Sequence, residues 1–186
     1  MLPMERRAFM QGAAMGALAF SVGGVDVLLT AREARAQGAA FKTLTPEQVA
    51  TLEALGETLV PGAREAGVAH YVDAQISGPA DNALLIARVM NVRPPYANFY
   101  RVCLGALEKA CQAQTGKNFA ALAANEQHDL IEKLRTNKLE GWQGPPPPYV
   151  YAVMRGDAID VVYGTMAGYE GLGIPYMAHI APEKRW

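Results

Sequence analysis

The feature that most constrains the fold of this chain is a series of apolar stripes at helical spacing, which glycine and proline repeatedly interrupt. The first stripe follows Thr45, which can cap a helix with Gln48 as its capping-box partner, and it stops at Pro61-Gly62. Apolar residues at steps of three and four lie on one face of a helix, so this segment predicts an amphipathic helix. Its apolar members are Val49, Leu52, Leu55 and Leu59.

Five further segments carry the same kind of pattern, and after residue 36 no segment alternates apolar and polar residues as a strand would. Asn125 is the predicted N-cap of the fifth helix. The glycine and four prolines of residues 144–148 favour polyproline II geometry and predict a linker, and residues 164–186 are predicted to form an ordered, irregular tail. We therefore predict an all-α fold, a small irregular bundle of five or six helices with an extended C-terminal tail. The further helices are expected at about residues 68–76, 84–90, 96–114, 125–134 and 149–163.

The first 36 residues have the order of segments that is typical of an export signal. Arg6 and Arg7, followed by Phe9, resemble the twin-arginine motif. A weakly apolar, glycine-containing stretch comes next, and Ala34-Arg35-Ala36 has the small-x-small form of a cleavage site. We predict export by the twin-arginine pathway and cleavage after Ala36. The predicted domains are a signal peptide at residues 1–36 and a helical domain at residues 37–186.

A retained membrane anchor and an ordinary cytoplasmic helix are the alternative interpretations of this N-terminal segment. Asp26 weighs against an anchor, because a charge in the bilayer is costly. The segment also lacks an unbroken apolar run of about 18 residues. Glu5 stands where the twin-arginine motif usually has serine or threonine, which is a small departure from the pattern.

The composition indicates a globular protein whose charge does not suit nucleic acid. Hydrophobic residues make up 51% of the chain and charged residues 19%, which is too apolar for a disordered chain. With 17 basic and 18 acidic side chains the net charge is -1, so there is no basic field to neutralise phosphates. We therefore predict no nucleic-acid partner.

Motifs for cofactors and catalysis are missing from the sequence. There is no G-x-G-x-x-G segment, no phosphate-binding G-x-x-x-x-G-K-S/T and no C-x-x-C-H haem attachment. No two histidines are three or four residues apart, and Ser77, the one serine after residue 36, lacks the G-x-S-x-G context. The carboxylates, Asp73 among them, fall mainly on predicted polar faces. The sequence therefore predicts no catalytic, cofactor-binding or metal-binding residue in this chain.

Cys103 and Cys111 both lie on the predicted helix of residues 96–114. Eight residues along a helix span about 12 Å, whereas a disulfide requires Cα atoms within about 7 Å. The two cysteines therefore cannot bond to each other on a continuous helix. Two interpretations stay open: they are small core residues, or one of them forms a disulfide to another subunit in an oxidising compartment.

The C-terminal tail is rich in tyrosine, methionine, glycine and proline. Ordering such a segment is costly unless something packs against it, and tyrosine favours interfaces. We predict that the tail forms a partner interface, and packing on the chain's own helices is the alternative. The predicted interface residues are Tyr163, Tyr169, Pro175, Tyr176, Met177 and His179.

Segments at both ends of the helical domain resemble one protein family. The segment from Leu172 to Ile180, preceded by Val162 to Thr165, is similar to the C-terminal signature of the gluconate 2-dehydrogenase small-subunit family. Residues 55–63 resemble the N-terminal part of that family. Many relatives have tyrosine-glycine-glycine-asparagine near this end, and the different residues at 163–166 favour the gluconate-type branch over the glucose-type one.

The resemblance implies a membrane-bound dehydrogenase of three subunits that faces the periplasm and is attached to the inner membrane. A large flavoprotein subunit carries FAD and oxidises the substrate, and a multihaem cytochrome c subunit passes the electrons on. The small subunit escorts the flavoprotein through the twin-arginine translocase and stays attached, with no cofactor or catalytic residue of its own. A stand-alone exported enzyme and a stand-alone periplasmic binding or chaperone protein are the alternatives.

Overall fold

The computed structural model of the chain describes residues 17–174, and it is mostly α-helical, as predicted. Within these residues two strands form one small antiparallel sheet, and short 3-10 turns lie at Ala80–Asn82 and Phe119–Ala121. The elements in chain order are β1 (Leu18–Val22), β2 (Val25–Leu29), α1 (Ala31–Ala36), α2 (Pro46–Leu59), α3 (Val68–Ser77), α4 (Ile86–Val89), α5 (Tyr96–Thr115), α6 (Ala124–Arg135), α7 (Pro147–Tyr163) and α8 (Met166–Gly171).

Helix α2 lies at the centre of the bundle, and its start is the capping box that the sequence predicts. The Thr45 hydroxyl accepts a hydrogen bond from the backbone N–H of Gln48 at 3.3 Å, and the Gln48 side chain accepts one from the N–H of Thr45 at 3.0 Å. The helix packs against α3, α5, α6 and α7. Leu52 and Leu55 of the predicted stripe are almost fully buried, so this stripe is the inner face of α2.

Helix α5 supplies the largest part of the hydrophobic core. It is the longest helix of the described chain and ends at Gly116, whose φ of +69° is the left-handed conformation typical of a helix C-terminus. Both cysteines lie on this one continuous helix, as predicted. Its buried residues are Tyr96, Tyr100, Cys103, Leu104, Ala106, Leu107, Ala110 and Cys111.

Three helix boundaries differ from the prediction, and the tail that was predicted to be irregular begins with the short helix α8. Helix α6 follows Ala123, not the predicted cap Asn125, because the Glu126 carboxylate accepts a hydrogen bond from the Ala123 N–H at 2.8 Å and so caps the helix from within. Helix α7 already begins at Pro147, since proline fits the first turn, where its missing N–H is not needed. The helix expected at residues 84–90 shrinks to α4, and Leu84, from the predicted stripe, is exposed.

The described part of the predicted leader, residues 17–36, packs on the helical bundle. Strands β1 and β2 form a hairpin in which Leu18 faces Leu29 and Val22 faces Val25. Its two-residue turn is Gly23-Gly24, and both have positive φ (58° and 83°), as the common tight hairpin turn requires. Helix α1 follows the hairpin and packs against α3. Cleavage after Ala36 stays a prediction.

Candidate functional site

Two of the six predicted interface residues, Tyr163 and Tyr169, lie at the junction of α7 and α8. Tyr163 is the last residue of α7 and is 38% exposed. Tyr169 lies in α8 and is half-buried. The other predicted interface residues lie outside the described part of the chain, and they are Pro175, Tyr176, Met177 and His179.

A tight corner joins these two helices. Helix α7 ends before Gly164, and the hydroxyl of Thr165 caps α8 by accepting a hydrogen bond from the N–H of Gly168 at 3.1 Å. A Cβ atom on Gly168 would lie 2.3 Å from the carbonyl oxygen of Val162. Only glycine therefore allows α8 to fold back this closely on the end of α7.

Large apolar side chains are exposed around this corner, and we name four of them the C-terminal patch. Three of them, Met166, Leu172 and Ile174, lie in the tail that the sequence predicts as an interface but are not among its six named residues. Exposed apolar groups close together on a surface are typical of protein contacts. The C-terminal patch consists of Tyr163, Met166, Leu172 and Ile174, each between 38% and 54% exposed.

A cavity of about 610 Å³ opens next to the C-terminal patch, and Met166 belongs to both. Its walls come from the hairpin, α1, α3, α7 and α8, so it depends on the N-terminal segment for one side. Most of the lining is apolar. Representative lining residues are Leu18, Leu28, Ala31, Tyr71, Val161 and Met166.

The polar side chains of the cavity wall hold neighbouring chain segments together. The Tyr71 hydroxyl donates a hydrogen bond to the carbonyl oxygen of Leu84 at 3.2 Å, and burial raises the pKa of Tyr71. Gln75 accepts a hydrogen bond from the Leu84 N–H at 2.9 Å. Burial also raises the pKa of Asp160. Tyr71 and Gln75 thus anchor the loop before α4 rather than present a reactive group.

The most deeply buried carboxylate of the bundle core is Asp157 on α7. Its two oxygens accept hydrogen bonds from the Tyr100 hydroxyl at 2.5 Å and from the Ile86 N–H at 2.9 Å. Burial raises the pKa of Asp157 to about 7. Because both oxygens are used within the core and the residue is 1% exposed, this cluster holds α4 and α5 on α7 and is not open to a substrate.

Asp73 corrects the prediction that the carboxylates lie on polar helix faces. Its side chain is buried on α3 and accepts hydrogen bonds from three consecutive backbone N–H groups. A carboxylate has enough lone pairs to accept all three, and doing so stabilises the segment that leads into α2. The donors are Lys42 at 2.8 Å, Thr43 at 2.9 Å and Leu44 at 2.8 Å.

The histidines do not form a metal site within residues 17–174, where no group of three histidine, cysteine or acidic side chains could hold a metal ion. His70 is buried in α3 beside the rings of Phe20 and Phe41, and its Nε2 lies 3.2 Å from the carbonyl oxygen of Ala39. Burial lowers its pKa, so His70 is a neutral packing residue at neutral pH. His128 is exposed on α6, and His179 lies outside the described residues.

Both cysteines are buried free thiols in this structure. Cys103 is 1% exposed, and burial raises its pKa to about 12. Cys111 is fully covered, and its thiol donates a hydrogen bond to the carbonyl oxygen of Lys117 at 3.2 Å. A disulfide to another subunit would require one of these side chains to leave the core, and such a bond stays a prediction.

The predicted export signal is described only in its second half. Arg6, Arg7 and Phe9 lie outside the described residues. Ala34 and Ala36, the two small residues of the predicted cleavage site, lie in α1, and Ala34 is completely buried. Across residues 17–174 we find no helix with the length and apolar character needed to span a bilayer.

Comparison with known proteins identifies the family of the chain. No curated protein and no solved structure matches the chain. The family model described as gluconate 2-dehydrogenase subunit 3 matches residues 46–177. The match begins at the first residue of α2 and includes helices α2 to α8 and the C-terminal patch. This chain therefore belongs to the gluconate 2-dehydrogenase subunit 3 family.

Proposed function

We propose that this chain is the non-catalytic small subunit of a membrane-bound, FAD-dependent dehydrogenase complex of the gluconate 2-dehydrogenase type in the periplasm. The observation that carries the proposal is the family match over residues 46–177, which covers most of the chain. The chain escorts the flavoprotein through the twin-arginine translocase and stabilises it afterwards. Membership of the complex attaches the chain to the inner membrane.

In this proposal the redox chemistry belongs to the partner subunits. The large subunit holds FAD and oxidises the sugar acid, and a multihaem cytochrome c subunit accepts the electrons. The bonding of the buried acids in this chain supports a structural role for them. Asp73 is occupied by three backbone amides, and Asp157 by Tyr100 and Ile86, so neither carboxylate is available for general acid–base catalysis.

The C-terminal patch supports the proposed contact with the flavoprotein. Its four apolar side chains lie within the family match, and they are the kind of surface that a permanent partner covers. The corner at Gly168 holds this surface on the outside of the bundle. We infer that the predicted interface residues after Ile174 continue the same contact.

The export role rests on the twin-arginine motif, and a charge-conserving substitution tests it. In cells that produce all three subunits, the pair Arg6→Lys and Arg7→Lys is expected to leave FAD-linked gluconate oxidation in the cytoplasmic fraction. The pair Arg101→Lys and Arg155→Lys is the control, since it makes the same chemical change at exposed positions of the helical domain, outside the predicted signal. The proposal fails if the first pair leaves periplasmic and membrane activity at the level of the control.

A stand-alone periplasmic binding or chaperone protein is a second candidate, and the cavity favours it. A volume of about 610 Å³ with a mostly apolar wall is in the range that small-molecule sites occupy. This alternative predicts that the chain leaves gently extracted cells as a monomer without flavin absorbance. The subunit proposal predicts that it elutes with a flavoprotein and a haem-containing chain.

A further inference from the structure

The predicted cleavage site lies within a short capped helix, not in an extended segment. The Thr30 hydroxyl accepts a hydrogen bond from the Glu33 N–H at 3.2 Å, and the Glu33 carboxylate accepts one from the Thr30 N–H at 2.8 Å. Ala34, the first small residue of the site, is completely buried. Because a protease cuts a folded segment only after it opens locally, this helix protects the bonds within it.

Helix α1 is docked so closely on the mature domain that the contact requires a glycine. The carbonyl oxygen of Ala31 faces Gly67 at the start of α3, and a Cβ atom on Gly67 would lie 2.2 Å from that oxygen. Ala31 itself is buried among small residues that lie within the family match, including Val60 and Ala66. The surface that receives α1 therefore belongs to the mature domain.

The β1–β2 hairpin also holds the residues around the predicted cleavage site in place. Phe20 is 4% exposed and packs in one cluster with Ala34 and Ala39, which stand before and after the predicted cut. The N–H of Ala40 donates a hydrogen bond to the carbonyl oxygen of Ser21 at 3.0 Å. Chain on both sides of the cut is thus held against the same face of the bundle.

The charges across this contact are complementary. Arg32 forms an ion pair with Glu65 at 2.5 Å, and Arg35 lies 3.7 Å from Glu53. Both glutamates belong to the mature domain. These pairs are at least partly exposed, so each contributes little energy and serves mainly to set the register of the segment.

We propose that the folded domain holds residues 18–36 in a dedicated docking surface and thereby withholds the Ala34–Ala36 site from signal peptidase until the segment is released. This proposal rests on the proposed function, in which residues 1–36 are a signal peptide. It adds that docking of residues 18–36 controls when signal peptidase can cut. Cleavage would also remove one wall of the cavity, which includes Leu18 and Leu28.

Two glycines with the same backbone strain provide a matched test. Gly67 and Gly62 have φ of +85° and +89°, so alanine is equally strained at either position, but a Cβ on Gly62 meets nothing within 4 Å. The purified full-length chain is incubated with signal peptidase in detergent micelles and, separately, with trypsin, which can cut at Arg32 and Arg35. Mass spectrometry of the products gives the cleavage rates.

Gly67→Ala is expected to be cut within residues 31–37 at least tenfold faster than the wild type, whereas Gly62→Ala should match the wild type. Equal rates for the three proteins, or a wild-type rate equal to that of a free peptide of residues 28–44, overturn the proposal. If Gly67→Ala does not fold, Phe20→Ala replaces it and is likewise expected to be cut at least tenfold faster than the wild type. Phe20 lies in the segment that cleavage removes, so the helical domain should fold without its side chain.

The assay uses the isolated chain, so its failure leaves the escort role intact. Failure of the Arg6 and Arg7 experiment in turn leaves the docking measurement intact.

Discussion

The hydroxyl of Tyr100 on α5 donates a hydrogen bond to Oδ2 of Asp157 on α7 at 2.5 Å, inside the helical core. The second oxygen, Oδ1, accepts from the N–H of Ile86 at the start of α4. Burial raises the pKa of Asp157 to about 7, and the two hydrogen bonds act against that rise. One buried acid thus links three helices, and its protonation is coupled to the stability of the fold.

Removal of the Tyr100 hydroxyl tests the strength of this link. At pH 8, where Asp157 is mostly ionised, Tyr100→Phe is expected to lower the free energy of unfolding by roughly 1.5–3 kcal/mol, because a bond to a charged group is lost. Urea denaturation measures the change. Tyr163→Phe, which removes a hydroxyl from a more exposed tyrosine, should stay within about 0.5 kcal/mol of the wild type. Equal effects of the two substitutions would contradict this role of Tyr100.

The raised pKa of Asp157 predicts that its contribution to stability falls as the pH rises. An exposed, ion-paired carboxylate has the opposite pH dependence. The folded protein binds this proton more tightly than the unfolded chain, whose value is near 3.8. The contribution of Asp157 to stability is therefore complete below about pH 4 and is lost as the pH rises to about 7. Asp157→Asn cannot ionise. Its free energy of unfolding, relative to that of the wild type, should therefore rise as the pH increases from about 4 to about 7. A difference that is constant from pH 4 to 8 would show that Asp157 does not titrate in the fold.

Asp73 is expected to be one of the most sensitive positions of the domain. Asp73→Ala leaves three buried or partly buried backbone N–H groups without their acceptor, so we expect a loss of about 3 kcal/mol or more in unfolding free energy. Asp73→Asn keeps one acceptor oxygen and should lose less. Thermal or urea unfolding measures both changes, with the exposed Asp129→Ala as the control near zero. A small loss in Asp73→Ala would mean that water replaces the carboxylate.

The burial of both thiols predicts slow reaction with thiol reagents in the folded chain. Cys103 and Cys111 are 1% and 0% exposed, and burial raises both pKa values, so little thiolate is present to react. We expect a dithionitrobenzoate assay to detect both thiols rapidly in denaturant and to show at least a hundredfold slower reaction without it. Cys103→Ser and Cys111→Ser assign the two reactions. Rapid native labelling of either residue would show that its side chain reaches the surface, as a disulfide to another subunit requires.

The helices that could be predicted are those whose signals are local. Helix α2 has its cap, its stripe and its proline-glycine stop within one stretch of sequence, and the structure confirms all three. Helix α5 likewise ends at Gly116, where a left-handed residue was needed. Helix α4 was predicted too long. Leu84 fits the spacing of an apolar helix face, but it is exposed and lies before the helix begins.

What the sequence did not reveal depends on contacts between distant segments. The three amide donors to Asp73 come from about 30 residues upstream, so periodicity alone placed this acid on a polar face. The hairpin has a Gly23-Gly24 turn signal, but its strands lie in the apolar stretch that resembles the central part of a leader. The exposed Met166 and Leu172 likewise become visible only once the corner at Gly168 is known.

The C-terminal patch gives the sharpest test of the proposed subunit contact. Met166→Glu with Ile174→Glu places two charges on an apolar surface that a partner would have to desolvate, and we expect at least tenfold less flavoprotein to co-purify with the variant. Because both side chains are more than half exposed, the thermal midpoint of the isolated chain should not change.

Val89→Glu with Val102→Glu is the matched control for the patch variant. These valines are 74% and 50% exposed and lie on α4 and α5, outside the cavity wall and the patch, so the same two charges are added elsewhere. Full flavoprotein recovery with this control and loss with the patch variant would locate the contact at the end of α7 and α8. Equal recovery would move the contact away from the patch, whereas equal loss would indicate a general effect of added negative charge. Either of these results contradicts the patch as the docking surface.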